Sequence, residues 1–258
     1  MSFTIQIRFL GGLTPTQQTV FEVAANRWAQ IITENLPPVR LDNGEIIDDV
    51  RIDAQGATID GDAGILGQAG PTQLRSGSLL PATGMMRFDS ADLARLEIDG
   101  SLLNVIIHEM AHVLGFGTLW SPQFLNLITG EGSDNPLFIG ENAKREYTQL
   151  IGGDTTEGVP VANTGGPGTR DGHWRESIFD NELMTGFINS GENPVSRMSI
   201  ASFEDMGYSV SYEAADEFVV PSTDQFALRQ PNLNLVCSMC SSKILRCDPI
   251  VLPESAFL

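Results

Sequence analysis

His108-Glu109-Met110-Ala111-His112 restricts this 258-residue chain more than any other stretch. Histidines four positions apart on an α-helix share one face, one turn above each other. From there both imidazoles reach a single ion at roughly 2.0–2.1 Å, the bond length that tetrahedral zinc takes to nitrogen. Glu109 stands beside them, placed to accept a proton from a water polarised by the ion, the arrangement of a helical zinc-hydrolase signature. The structural alternative is a polar pair satisfied at the edge of a core. Zinc needs at least one more protein ligand, and the chain holds three histidines in all. His173, in a glycine-rich stretch able to fold back over the helix, is the first candidate; Glu131, Glu141 and Glu146 are acidic alternatives.

The neighbouring residues support a helix around the motif. SLLNVIIHEMAHVLG runs from Ser101, a candidate cap, to Gly115, placed as the C′ stop. Upstream, Phe3, Ile5, Ile7 and Phe9 alternate with polar residues as in a half-buried strand. Thr14, Pro15 and Gln17 form a capping box with proline at the first helical position, and Phe21, Ala24, Ala25, Trp28, Ile31 and Ile32 recur at helical spacing up to a stop before Pro37-Pro38. Short apolar pairs over 50–69, and again over 85–88, read as strands of one sheet. Ser90 or Asp92 opens a short helix through Leu96. Residues 120–172, polar and rich in glycine, read as loops. Ser199 to Met206 reads as a short capped helix ended by Gly207, and beyond Pro221 the chain reads as a separate tail. The class is α+β, without internal repeats.

Composition removes several functions. Fifteen Lys and Arg against 33 Asp and Glu give a net charge of −18. Such a chain repels phosphate backbones, so nucleic acid and anionic membranes are excluded as partners. Seven acids between Asp42 and Asp62 read as a solvated acidic face, with calcium binding as the alternative. No apolar run approaches the ~20 residues that a membrane-spanning helix needs. MSFTIQIRFL reads as a strand; it lacks the pattern of a signal peptide and leaves no room for a propeptide before the first strand. Cys237, Cys240 and Cys247 cluster near the end, an odd set that reads as free or partly paired thiols, a weak metal signal, or a thiolate latch reaching the zinc.

HEMAHVLGFGTLW resembles the active-site helix of the metzincin zinc peptidases, whose usual pattern is HExxHxxGxxH followed by a methionine turn. Gly115 matches the glycine, but Thr118 stands where the third histidine usually follows. In the leishmanolysin family a long insertion separates the two, and this chain is similar: GHWRESIFDNELMTG offers His173 and then Met184 in a Glu-Leu-Met-Thr context resembling that family's Met-turn. VSRMSIASFEDMGY is similar to the family's closing helix. The resemblance runs with gaps from Phe3 to Tyr212. Two departures stand out: leishmanolysins are rich in disulfides, and Gly186 occupies a position where some metzincins carry a tyrosine that assists the transition state.

The resemblance implies a two-lobed metzincin-like catalytic domain. An N-terminal lobe (1–117) would hold a twisted mixed sheet, a backing helix and the active-site helix. A mostly irregular C-terminal lobe (118–220) would hold the third zinc ligand, the Met-turn and a short closing helix, ahead of a tail (221–258). It implies a zinc-dependent endopeptidase in which zinc-activated water attacks the peptide and Glu109 acts as general base and then acid. His108, His112 and His173 would hold a catalytic Zn2+, and Gly115 and Met184 would have structural roles. Protein or peptide substrates, a monomer, and an extracellular or cell-surface location are expected, with the peptide pairing to an edge strand near residues 85–88. The rival reading is a catalytically silent, zinc-stabilised binding or adhesion module.

Overall fold

Phe3 is buried, and Ile5, Ile7 and Phe9 are half-buried, while Thr4, Gln6 and Arg8 face solvent, so the alternation at the start of the chain does become a strand. The computed structural model describes residues 2–59, 67–166, 168–189, 191–221 and 248–258. Cys237, Cys240 and Cys247 lie outside these residues, as do Asp60 and Asp62 of the acidic stretch. The chain forms β1 (Ile5–Phe9), α1 (Pro15–Ile31), the short hairpin β2 (Val39–Arg40) and β3 (Ile46–Ile47), β4 (Val50–Ala57), β5 (Gly67–Leu74), β6 (Pro81–Asp89), α2 (Ser90–Asp99) and α3 (Leu102–Val113). It continues with β7 (Ile128–Thr129), β8 (Leu137–Phe138), α4 (Glu141–Leu150), β9 (Val159–Pro160), α5 (Glu176–Phe179), α6 (Arg197–Met206) and β10 (Ile250–Val251).

The main sheet is mixed, in the order β1-β4-β6-β5-β10. β1, β4 and β6 run parallel, and β5 is antiparallel to β6. β10 returns from the end of the chain to pair with β5 at Gln73 and Leu74 alone. Residues 85–88 therefore lie in an interior strand with both neighbours in place, which corrects the expectation that they form an edge. A smaller antiparallel sheet, β7-β8-β9, follows α3.

α1 begins as its sequence dictates. Thr14 Oγ1 accepts from the Gln17 amide at 3.2 Å while Gln17 Oε1 accepts from the Thr14 amide at 3.0 Å, with Pro15 at the first helical position. Its buried face ends in Trp28, whose Nε1 donates to the Ile107 carbonyl at 3.0 Å and whose ring lies 4.7 Å from Phe203. That indole ties α1, α3 and α6 together. α3 begins differently from expectation: Ser101 makes no capping bond, because its amide and hydroxyl both turn back to Asp99 Oδ1. It ends as expected, at Gly115 with φ +114°.

Residues 120–172 are not all loop. ENAKREYTQL forms α4, burying only Ala143, Glu146 and Tyr147, a stripe too narrow to stand out against its polar background. Its cap also comes from far away: Asp205 on α6 accepts from the Asn142 and Ala143 amides, both at 2.9 Å. No local residue announces the start of that helix.

α3 lies close against the sheet because β6 carries Gly84 beneath it. A Cβ at residue 84 would sit 2.3 Å from Val113 Cγ1. Gly84→Ala should therefore push α3 outward and cost about 1–3 kcal/mol, as overpacking of a filled core does. Equilibrium denaturation checks this; an unchanged midpoint would show that the helix has room to spare.

Candidate metal centre

α3 carries His108 and His112 into the interior, and the segment after Thr169 brings His173 to the same point. The three Nε2 atoms form a nearly equilateral triangle, 3.0 Å between His108 and His112 and 3.1 Å from each of them to His173. None of the three residues is more than 2% exposed. Each Nδ1 faces a backbone carbonyl oxygen: that of Leu183 at 2.7 Å from His108, Phe116 at 2.9 Å from His112, and Thr169 at 2.9 Å from His173. A carbonyl only accepts, so each Nδ1 carries the ring proton and each Nε2 presents a bare lone pair.

Burial keeps these rings neutral. It pushes the pKa of His108 down to about 4 and that of His173 to about 3, His108 adding to the effect on His173. His112 falls well below its ordinary range for the same reason, helped by both neighbouring imidazoles. Three unprotonated acceptors facing one another at this distance repel, and only a cation between them turns the arrangement favourable. Tetrahedral zinc, with nitrogen at 2.0–2.1 Å, spaces its ligands about 3.3 Å apart, within a few tenths of an ångström of the spacing seen. The donor set therefore fits zinc.

Among the described residues no other group of three His, Cys, Asp or Glu side chains gathers its donor atoms so closely. Glu146, one of the acidic alternatives, pairs instead with Arg197 at 2.9 Å, and Glu141 pairs with Lys144 at 2.8 Å. Glu131 is exposed. Nor do the described residues of the acidic stretch support the calcium alternative. Asp49 accepts from the Thr4 and Leu36 amides at 2.9 and 2.7 Å, Glu45 pairs with Arg51, and Asp53 with Arg8.

The model of the leishmanolysin family of M8 peptidases matches residues 57–227. The chain belongs to the leishmanolysin family. It is 27% identical to a leishmanolysin homolog of Crithidia fasciculata over 157 residues, 59% of this chain and 23% of that protein. A leishmanolysin-like peptidase of Caenorhabditis elegans is 37% identical over 97 residues, 36% of this chain and 14% of that one. The leishmanolysin of Leishmania major is 28% identical over 160 residues, 59% and 25% of the two chains. The matched stretches thus span about a quarter or less of these relatives.

In this leishmanolysin-family chain each orienting carbonyl has its own support. Gly115 turns the chain beyond α3, and Phe116 is fixed by the hydrogen bond that its amide donates to the Ala111 carbonyl at 2.9 Å. Gly117, with φ +70°, touches Gly172: a Cβ there would lie 2.1 Å from the Gly172 oxygen. That contact seats the His173 segment directly on the turn after α3. Glu109 is 2% exposed on α3 between the two histidines. Met184 is fully buried, and its carbonyl accepts from the Trp174 amide at 2.9 Å. Gly186 is forced by packing, since a Cβ would meet Thr169 Cγ2 at 2.4 Å.

Two contributors escape a reading of the sequence. Gly117 looks like any loop glycine, and Glu182 like a surface acid. Glu182 is fully buried and accepts from the Met184 amide at 2.6 Å, the Ser196 amide at 3.1 Å, the Ser196 hydroxyl at 2.7 Å and the Ser199 hydroxyl. Burial pushes its pKa up, and these donors pull it back. The carboxylate so clamps the 182–184 turn, whose Leu183 oxygen orients His108. Only the proximity of Glu182 to Met184 in the sequence hinted at such a role.

Gly117→Ala should weaken zinc binding about 10- to 100-fold, the usual cost of disturbing what orients a metal-ligating histidine. Competition against a chromogenic chelator measures it; wild-type affinity would mean that the contact between Gly117 and Gly172 does not set the position of His173.

Proposed function

We propose that the chain is a zinc-dependent endopeptidase in which His108, His112 and His173 hold the ion and Glu109 moves the proton. The observation that carries this reading is the convergence of three bare Nε2 atoms, two of them from a helix on which buried Glu109 follows His108 directly. A bound zinc ion would supply a Lewis acid that acidifies water and polarises the scissile carbonyl. Glu109 then takes the proton from the attacking water and delivers it to the leaving amine. The buried rings exclude bulk water, which strengthens each electrostatic interaction at the site.

Several finer points belong to the same reading. Met184, fully buried, would supply an apolar floor to the site, as in a Met-turn. Residues 1–117 act as the upper lobe and 118–220 as the lower, with 221–258 as an appendage whose described end joins the main sheet. An extended peptide pairs with β5, whose outer side meets β10 at two residues only. The substrates are proteins or peptides, and an extracellular or surface setting follows from the family.

Glu109→Gln should retain stoichiometric zinc yet lose peptide cleavage by about 10²–10⁴-fold, the span of general-base catalysis. His173→Ala should lose both. Metal analysis and digestion of casein, run on the same preparations, make the comparison. Casein left intact by fully zinc-loaded wild type would favour a zinc-stabilised binding module. Tight zinc binding by His173→Ala would remove the third ligand from the scheme.

A further inference from the structure

A cavity of about 270 Å³ has one residue in common with the surroundings of the three histidines, its lining including Ala162, Asn163, Thr169, Glu176, Gly186 and Phe187. Thr169 belongs to both places, because its carbonyl orients His173. Gly186 follows Met184 by two residues. The volume lies below the roughly 300–1,000 Å³ of clefts that take whole small molecules and suits a single side chain. The apolar wall of Ala162 and Phe187 can cover an alkyl stem.

Glu176 gives the cavity its chemistry. Its Oε1 accepts from the Asn189 side chain, Nδ2, at 3.4 Å, while its Oε2 is shielded from solvent and has no hydrogen-bond partner among the described residues. Burial raises its pKa to about 7, Thr185 and Asn189 oppose the rise, and the nearby Asp180 adds to it. Arg175, the cation that lines the same cavity, is spent elsewhere: its three guanidinium nitrogens go to the Val161 carbonyl, Asn135 Oδ1 and the Pro136 carbonyl at 2.9, 3.0 and 3.2 Å. Among the described residues, the charge that bears on the Glu176 carboxyl is that of Asp180, which is of the same sign. A carboxylate in this setting is stabilised by a cation brought from outside.

We propose that this cavity receives the substrate side chain next to the scissile bond and that Glu176 selects a lysine or arginine there. The inference rests on the peptidase reading and names its substrate class. An alkyl stem lies along Ala162 and Phe187, and the cationic head meets Oε2. The charge of −18 favours the approach of the same substrates.

Matched peptides carrying lysine or leucine on each side of a single cleavable bond test this with zinc-loaded protein. Wild type should prefer lysine on one side, and Glu176→Gln should lower kcat/KM for that peptide about 10- to 100-fold, the range of a charge-assisted hydrogen bond, while leaving the leucine peptide unchanged. The ratio of lysine to leucine cleavage should rise with pH through about 7, as Glu176 loses its proton. General effects of pH on the reaction cancel in that ratio. Cleavage without a lysine preference, or a preference that survives Glu176→Gln, overturns the inference and leaves the peptidase reading intact. A second arm needs no turnover: n-butylammonium titrated into Glu109→Gln and followed by NMR should shift resonances of residues lining the cavity, and the double variant with Glu176→Gln should show no shift. If no peptide is cleaved at all, the peptidase reading fails, and the absence of butylammonium shifts would overturn the pocket assignment as well.

Discussion

Three hydrogen bonds from histidine Nδ1 to backbone carbonyls govern everything else at the centre of this protein. An imidazole has two tautomers of similar energy in water, and only one of them leaves Nε2 free to meet a cation. The carbonyls of Leu183, Phe116 and Thr169 choose that tautomer for each ring. They come from three separate stretches of irregular backbone, so the geometry cannot be produced by α3 alone. The helix supplies the spacing of two histidines, and the turns decide which nitrogen of each ring faces inward.

Placing carbonyls this way on irregular segments, outside the helices and strands, calls for other supports. Close backbone approaches provide one kind, as where Gly117 meets Gly172. Buried or half-buried ionisable groups that reach several backbone atoms provide another. Glu182 gathers donors from the 184 and 196 positions, Asp205 caps α4 from a distance, and Arg75 does the converse in the N-terminal half. Fully buried, the Arg75 guanidinium donates to the carbonyls of Pro37, Asp48, Asp49 and Pro81, and desolvation lowers its pKa to about 10. Such groups fasten loop to loop in a stretch where the first 236 residues contain no cysteine. Each is costly to bury and costly to remove, because its partners would then be left unsatisfied.

Local signals in the sequence were sufficient where the structure is itself local. The capping box at Thr14, the alternation from Phe3 to Phe9 and the stop at Gly115 each involve residues within one turn of one another, and each is found in place. The convergence of His173 on His108 and His112 was also legible, since few other donors remained. What escaped was set by distant partners. Nothing near Gly140 indicates that Asp205 will cap a helix there, and Ser101 has a cap's identity but turns to Asp99 instead. The interior position of residues 85–88 depends on β4 and β5 arriving on either side, which periodicity cannot foresee.

The near-complete burial of the three histidines bears on how an ion arrives and leaves. With His108, His112 and His173 no more than 2% exposed, exchange of an ion held by them would need a local opening, and the sections least secured by regular secondary structure are those around Thr169 and Leu183. The rate at which such an ion escaped to a chelator would then be a clock for the opening of those turns.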